Sequence, residues 1–262
     1  EEDEYYIGDK SKIDLMVSGR QQQVVNLIRQ LLLKRFESSI AAFEETCIRI
    51  YFRLYTFLND YREHGNMKLI ERTLNRQATV LDYVKKYIEN NMQSTLDELE
   101  DDLPDYVWEV EENLREDDFD IRAMLDDTLL DMEVLAEFIE DITDFDSSKD
   151  DKIRELKRIL TEDERVKNKK VIIFTEFRST AKYIYHELQK AGFDGLYEID
   201  GQSKGSRHDM VVRFSPYYND SCSADVNDEI RILIATDVLA EGLNLQDASR
   251  SEEHTSELQS HL

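Results

Sequence analysis

The hydrophobic periodicity of this 262-residue chain changes near Asp151, and that change limits what the chain can fold into. Before Asp151, apolar residues recur every three or four positions, which is the spacing of one face of an α-helix. After it, they form short continuous runs separated by helical spacing, which is typical of buried parallel strands alternating with helices. The sequence therefore predicts a helical region over 21–148 and an α/β region with a parallel sheet over 149–250.

The helical region begins with a pattern that predicts two antiparallel helices. One apolar stripe runs from Leu33 to Tyr61, Gly65 and Asn66 interrupt it, and a second stripe follows over 67–88. The residues of the first stripe are expected to face a partner helix: Leu33, Phe36, Ile40, Phe43, Cys47, Ile50, Leu54, Phe57 and Tyr61. For the two adjacent basic residues, Lys34 and Arg35, a solvated helix face is favoured over contact with DNA.

Most of the formal charge of −25 lies in one segment. Residues 97–151 contain 24 Asp and Glu and only 3 Lys and Arg, a net of −21, so the rest of the chain is nearly balanced. The helical spacing continues through this segment, which therefore predicts a helix with a solvated acidic face and not a disordered tail. Its inward-facing residues are predicted to be Ile121, Leu125, Thr128, Met132, Leu135, Ile139 and Ile142.

The α/β region predicts three strands with helices between them. Such a sheet is covered by helices on both faces, and its ligands bind where the carboxyl ends of the strands meet. Gly192 is expected to end the helix that follows the first strand. The predicted order is a helix over 152–160, a strand over 170–175, a helix over 178–192, a strand over 196–200, a helix over 207–214, a polar loop over 215–228 and a strand over 230–236.

Three blocks of this region, in their order and spacing, resemble the second RecA-like lobe of superfamily 2 helicases. They are "VIIFTEFRSTAKYI", "DGQSKGSRHDMVVRF" and "ILIATDVLAEGLNLQDA". The form "EGLNLQDA" is most similar to that of bacterial and archaeal Swi/Snf-type DNA translocases, and "LLLKRFESSIAAF" resembles a helical segment upstream of the lobe in the same group. The resemblance implies a RecA-like helicase C-terminal lobe, here incomplete, that works with a preceding RecA-like lobe of the same protein.

The resemblance also implies roles for individual residues. Thr175 and Thr236 end buried strands, where hydroxyl and backbone N–H groups can hold a nucleic-acid phosphate without reading its base. Phosphate contacts from Arg178 and Arg207 are expected with them. On the nucleotide side, Gly242 permits close backbone approach and its neighbours carry polar groups, so the ATP-binding residues are expected to be Glu241, Gly242 and Asn244.

Parts that ATP hydrolysis requires are not found in these 262 residues. No glycine is followed by Lys-Ser or Lys-Thr as in a P-loop, and no Asp-Glu pair carries the later His that a magnesium-binding acidic motif of this family would show. The arginine-finger block that should follow "EGLNLQDA" is missing as well. We therefore expect ATP and magnesium to be bound by the intact protein, and this chain alone to hydrolyse no ATP and to provide no catalytic residue.

The two ends of the chain are predicted to lie outside these regions. Residues 1–20 are interpreted as a remnant of a preceding region. The polar tail "RSEEHTSELQSH" matches the translation of a common sequencing-library adapter over eleven consecutive residues, so 251–262 are expected to be non-biological and without a place in the fold.

Composition favours a cytoplasmic protein with no metal site. Cys47 and Cys222 have no partner at metal-ligand spacing, and no segment approaches the ~20 apolar residues that a membrane span requires. The favoured function is a motor lobe acting on DNA, with duplex preferred over single strands. Two alternatives stay open: an RNA helicase lobe, and an interaction module whose acidic helices bind a basic protein partner or mimic DNA.

Overall fold

A computed structural model describes residues 28–102, 119–199, 210, 213–215, 229–236 and 250–253, with backbone alone for 92–102 and 250–253. The chain forms two compact units. The first contains residues 1–34 and 44–144, and its described part is helical; we call it the helical unit. The second, which we call the lobe, combines residues 145–262 with the short segment 35–43.

The described helices and strands follow the predicted order, with two additional breaks. The predicted helix over 207–214 lies mostly outside the described residues. Residues 28–38 form α1. The other helices are α2 (Ile40–Tyr61), α3 (Met67–Arg76), α4 (Ala78–Asp102), α5 (Ile121–Thr143), α6 (Asp151–Glu162) and α7 (Arg178–Lys190). The strands are β1 (Val171–Thr175), β2 (Leu196–Ile199), β3 (Ile232–Thr236) and β4 (Arg250–Glu253).

A polar residue lies at each of the two breaks in the helices predicted to be continuous. Ser39 interrupts the first helix, and its hydroxyl accepts a hydrogen bond from the N–H of Ala42, which caps α2. Gln77 separates α3 from α4, and its side-chain oxygen accepts a 2.9 Å hydrogen bond from the buried Tyr51 hydroxyl. Apolar periodicity carries no information about either contact.

The predicted stripe of the first helix is wrong at its beginning. Leu33 and Phe36 are 61% and 58% exposed, whereas Arg35 and Ser39 are buried. The inward face is therefore rotated relative to the apolar one, because Arg35 and Ser39 make contacts within the lobe.

The acidic helix is confirmed. Its N-terminus is capped by Asp120, whose side chain accepts a 3.0 Å hydrogen bond from the N–H of Ala123. Of the residues predicted to face inward, Leu135 and Ile142 are half-buried and the others are buried: Ile121, Leu125, Thr128, Met132 and Ile139. The Asp and Glu side chains lie on the rest of the helix surface, together with the exposed Leu130, Val134 and Phe138.

The sheet of the lobe is parallel, with strand order β2-β3-β1-β4. Its side chains alternate between two cores. One core holds Val171, Ile173, Ile232 and Ile234 with residues of α6 and α7. The opposite core holds Ile172, Leu233 and Ala235 with Met210 and Phe214. Both faces of the sheet are thus covered, which confirms the α/β class.

The fourth strand corrects one expectation. Residues 251–253, which the sequence excluded from the fold, pair in parallel with β1, as Ile172↔Ser251, Ile173↔Glu252 and Phe174↔Glu253. Strand pairing uses backbone N–H and C=O groups, so an edge such as that of β1 accepts an extended segment whatever its side chains are.

Candidate functional site

Thr175 and Thr236 lie side by side at the carboxyl edge of the sheet. They are register partners, each the last residue of its strand. Neighbouring strands are about 4.8 Å apart, and residues in register in a parallel pair project from the same face. The structure therefore brings together two of the predicted phosphate-binding residues that are 61 positions apart in the chain.

Both threonines are closely packed. They are 3% and 6% exposed and share the sheet face of Ile173 and Ile234, which carries α6 and α7. A ligand at this edge would reach backbone groups and hydroxyls held in fixed positions. Residues 237–249, which follow Thr236, lie outside the described part of the chain.

The turn after β1 leads directly into α7. Glu176 is exposed, Phe177 is buried, and Arg178 is the first helical residue, with a half-buried side chain. The N-cap position is Phe177, which makes no side-chain capping hydrogen bond, so the first N–H groups of α7 depend on other partners. Arg178 thus begins α7 three residues after Thr175, on the carboxyl side of β1.

The segment 35–43 braces this turn. The Arg35 guanidinium, 1% exposed, lies 4.7 Å from the centre of the Phe177 ring. The hydroxyl of Thr180, the third residue of α7, hydrogen-bonds with those of Ser38 and Ser39 at 2.8 Å and 2.7 Å. In addition, the Lys152 ammonium donates to the carbonyl oxygen of Glu37. We call these contacts the brace. They join the segment 35–43 to the start of α7 and, through Lys152, to α6.

The burial of Arg35 overturns the expectation that it lies on a solvated face, and it also removes Arg35 from direct contact with DNA. Lys34, the other basic residue of that pair, is exposed as expected. The brace residues could not be assigned from the sequence, because Arg35, Ser38 and Ser39 are more than 130 positions from the turn that they contact. The resemblance of "LLLKRFESSIAAF" to a family segment was the one signal that pointed to them.

Asp150, at the start of α6, links α6 to α7. Asp150 caps α6 by accepting from the N–H groups of Lys152 and Ile153, and it also accepts a 3.0 Å hydrogen bond from the Tyr183 hydroxyl. Burial, and then the charge of Asp150, raises the pKa of Tyr183, which therefore stays a hydrogen-bond donor at neutral pH. The orientation of the helices that cover the Thr175 face is thus set by specific bonds as well as by apolar packing.

The remaining predicted site residues lie outside the described part of the chain. They are Arg207, Glu241, Gly242 and Asn244, together with Cys222. Cys47 is buried, and burial followed by the charge of Glu44 raises its pKa to about 12, so its thiol stays protonated at neutral pH. Within the described residues we find neither a cluster of side chains able to hold a metal ion nor a helix long and apolar enough to cross a membrane.

Comparison with known proteins gives a family match for the α/β region. Residues 151–251 match the family model described as the helicase conserved C-terminal domain. The lobe has the sequence signature of a helicase C-terminal domain. Comparison with curated proteins gave no match, and comparison with solved structures gave none either.

The matched region and the described structure agree. The match begins at the first residue of α6 and includes β1, α7, β2 and β3, which carry both threonines. A parallel sheet with helices on both faces is compatible with a RecA-like lobe of a superfamily 2 helicase. The brace segment 35–43 lies outside the match, so the lobe of this protein includes residues that the family model does not cover.

Proposed function

We propose that this chain contributes the second motor lobe of an ATP-dependent DNA translocase or helicase of the Swi/Snf type. In this role, Thr175 and Thr236, with Arg178 and Arg207, hold the sugar-phosphate backbone. Glu241, Gly242 and Asn244 form one side of an ATP cleft that a preceding RecA-like lobe completes with magnesium. The observation that carries the proposal is the pairing of Thr175 with Thr236 at the carboxyl edge of a sheet within the matched region.

The chemistry of that edge supports backbone contact over base recognition. Two threonine hydroxyls and nearby backbone N–H groups are short, fixed donors that suit phosphate oxygens and carry no base preference. Sequence-independent contact is what a motor requires, since it must hold each successive nucleotide equally. Duplex DNA is favoured over single-stranded DNA and RNA by the form of "EGLNLQDA" in this chain.

The test uses the protein expressed from its uninterrupted reading frame. ATP hydrolysis is measured alone and with duplex DNA, single-stranded DNA or RNA. We expect the largest stimulation by duplex DNA, and we expect Thr236→Val, which keeps the shape and removes the hydroxyl, to lower that stimulation about tenfold. The control is Thr161→Val, an exposed threonine of α6 in the same lobe.

Two results would contradict the proposal. One is stimulation that is unchanged in Thr236→Val and in Thr175→Val. The other is hydrolysis that no nucleic acid stimulates. Greater stimulation by RNA than by duplex DNA would assign the lobe to an RNA helicase instead. The 262-residue chain alone is expected to show no nucleotide hydrolysis with any of the three.

A further inference from the structure

One face of α5 exposes an apolar strip. Leu130, Val134 and Phe138 are 60%, 53% and 45% exposed. They are spaced four residues apart, so they lie above one another on a single helix face and extend over about 12 Å. Seven large hydrophobic side chains are at least 40% exposed within the described residues, and three of the seven form this strip.

The strip is distinct from the buried face of α5. The buried residues of α5, among them Leu125, Met132 and Ile139, occupy the opposite side and are each at most 1% exposed. A solvated helix face is normally charged or polar, so packing of the core does not explain a second apolar stripe on the exposed side of α5. The strip therefore has the character of a contact surface.

Acidic side chains surround the strip. At 100° per residue, Asp131 lies on one flank and Glu137 on the other, while Asp127 and Asp141 lie at its two ends. All four side chains are exposed. The whole of α5 carries seven acidic residues and a single basic one, Arg122. The surface thus combines an apolar centre with a negative frame, which is the general form of a protein-binding patch.

The charge of the frame decides between possible occupants. Duplex DNA and anionic membranes are repelled by it. A second copy of the same face would bring two acidic frames together, which is unfavourable. A protein segment with apolar residues on one side and Lys or Arg around them satisfies both the centre and the frame.

We propose that the α5 strip is the docking surface for a basic amphipathic helix of a partner protein. About three turns of such a helix, with apolar residues at positions i, i+4 and i+8, are enough to cover the strip. Basic side chains beside its apolar residues pair with Glu137 and Asp141. This proposal does not rest on the motor role of the lobe.

The test measures binding of two synthetic peptides to the 262-residue chain by fluorescence anisotropy. One is a basic amphipathic peptide on the order of 15–20 residues. The other has the same charge and length, with every apolar residue replaced by Ser or Gln. We expect saturable binding of the first peptide with one site per chain, and at least tenfold weaker binding of the second.

Variants locate the site. Leu130→Ser with Val134→Ser is expected to weaken binding of the amphipathic peptide about tenfold or more. The matched control is Leu69→Ser, because Leu69 is 40% exposed on α3 and should leave the dissociation constant unchanged. Glu137→Gln with Asp141→Asn is expected to weaken binding several-fold and to reduce its dependence on salt. This second pair keeps the apolar strip intact, so it tests the surface even if the serine variant is unstable.

The proposal is overturned if the two peptides bind equally or not at all, or if neither pair of substitutions changes binding. It is also overturned by a different occupant. Self-association in sedimentation equilibrium that Leu130→Ser with Val134→Ser abolishes would assign the face to a second copy. Duplex DNA binding that the same variant abolishes would assign it to nucleic acid.

Discussion

Two carboxylates, one in each unit, are held in different ways. In the lobe, the side chain of Glu187 is 5% exposed and accepts from the ammonium groups of Lys190 and Lys157, at 2.7 Å and 3.2 Å. In the helical unit, Glu44 accepts a 2.6 Å hydrogen bond from the neutral hydroxyl of Tyr83. Burial raises the pKa of both groups, but only at Glu187 do the lysines outweigh it and lower the pKa overall.

The two units also differ in how each is held together. The lobe is organised by backbone register, since β3 pairs with β1 on one side and β2 on the other. The helical unit is held across its helices by side chains, as in the bonds from Tyr51 to Gln77 and from Lys85 to the Tyr55 hydroxyl. We therefore expect the lobe to be sensitive to changes of the backbone, and the helical unit to changes of individual side-chain partners.

The largest expected effect tests the backbone side of this comparison. Gly195 has a positive φ of 67°, and its carbonyl accepts from the N–H groups of Arg231 and Ile232 at 2.8 Å and 3.0 Å. An added Cβ would lie 3.0 Å from the Arg231 backbone nitrogen and 3.1 Å from the Glu229 carbonyl oxygen. Gly195→Ala is expected to lower the free energy of unfolding of the lobe by on the order of 2–3 kcal/mol, measured by urea denaturation.

Two other glycines provide the controls. Gly192 also has a positive φ, but nothing lies within 4 Å of an added Cβ, so Gly192→Ala should cost about 1 kcal/mol. In the helical unit, a Cβ on Gly65 would meet the ends of the Ile70 and Leu125 side chains, which can move, and the expected cost is below about 1 kcal/mol. Equal losses of unfolding free energy in all three variants would show that the backbone at Gly195 is no more constrained than at Gly192 or Gly65.

The next prediction tests where the boundary between the units lies. Ser39→Ala removes both the cap of α2 and the hydrogen bond to Thr180, and it should cost about 1–2 kcal/mol. Thr180→Val keeps the side-chain shape and removes the bonds to both serines. If residues 35–43 belong to the lobe, the two substitutions are coupled by on the order of 1 kcal/mol in a double-mutant cycle.

Hydrogen exchange locates that coupling. Loss of the brace should speed amide exchange at the start of α7, around Ala181, whose N–H donates to the Phe177 carbonyl. A suitable control is Thr143→Val at the exposed end of α5, where the hydroxyl bonds to a carbonyl of its own helix. Strictly additive effects of Ser39→Ala and Thr180→Val would show that the brace contributes nothing to the lobe.

How far the sequence predicts the structure differs between the units for a physical reason. In the lobe, each strand is a continuous apolar run and each end is marked by a polar residue or glycine, so β1, α7, β2 and β3 were predicted within about two residues. Parallel strands also have aligned carboxyl ends, which is why Thr175 and Thr236 could be expected at one edge before their register was known.

In the helical unit and the brace, the decisive contacts join residues whose pairing leaves no local pattern. Gln77, at the break between α3 and α4, accepts a bond from Tyr51, and the buried Arg35 lies against Phe177. Apolar periodicity assigns such polar residues to the solvated face by default, which is why the first stripe was wrong at Leu33 and Phe36. The acidic helix was predicted correctly because its inward face is almost entirely apolar.

The smallest expected effects concern the two carboxylates, and they have opposite signs. The folded-state pKa of Glu187 is below its ordinary value of about 4.5, so its charge stabilises the lobe above that pH, and the contribution is lost as pH falls through the folded pKa. The folded-state pKa of Glu44 is raised, so ionisation destabilises the helical unit, and stability increases as pH falls through the raised pKa.

Urea denaturation from about pH 8 to about pH 4 measures both. Glu187→Gln should be less stable than the native sequence at neutral pH, by at most about 1 kcal/mol because Lys190 is largely exposed, and the difference should shrink as the pH falls below about 4.5. Glu44→Gln keeps an acceptor for Tyr83 and should equal or exceed the native stability at neutral pH, with the advantage lost on acidification. Parallel pH profiles for the two variants would mean that the lysines do not distinguish Glu187 from Glu44, and the electrostatic contrast between these two carboxylates would fail.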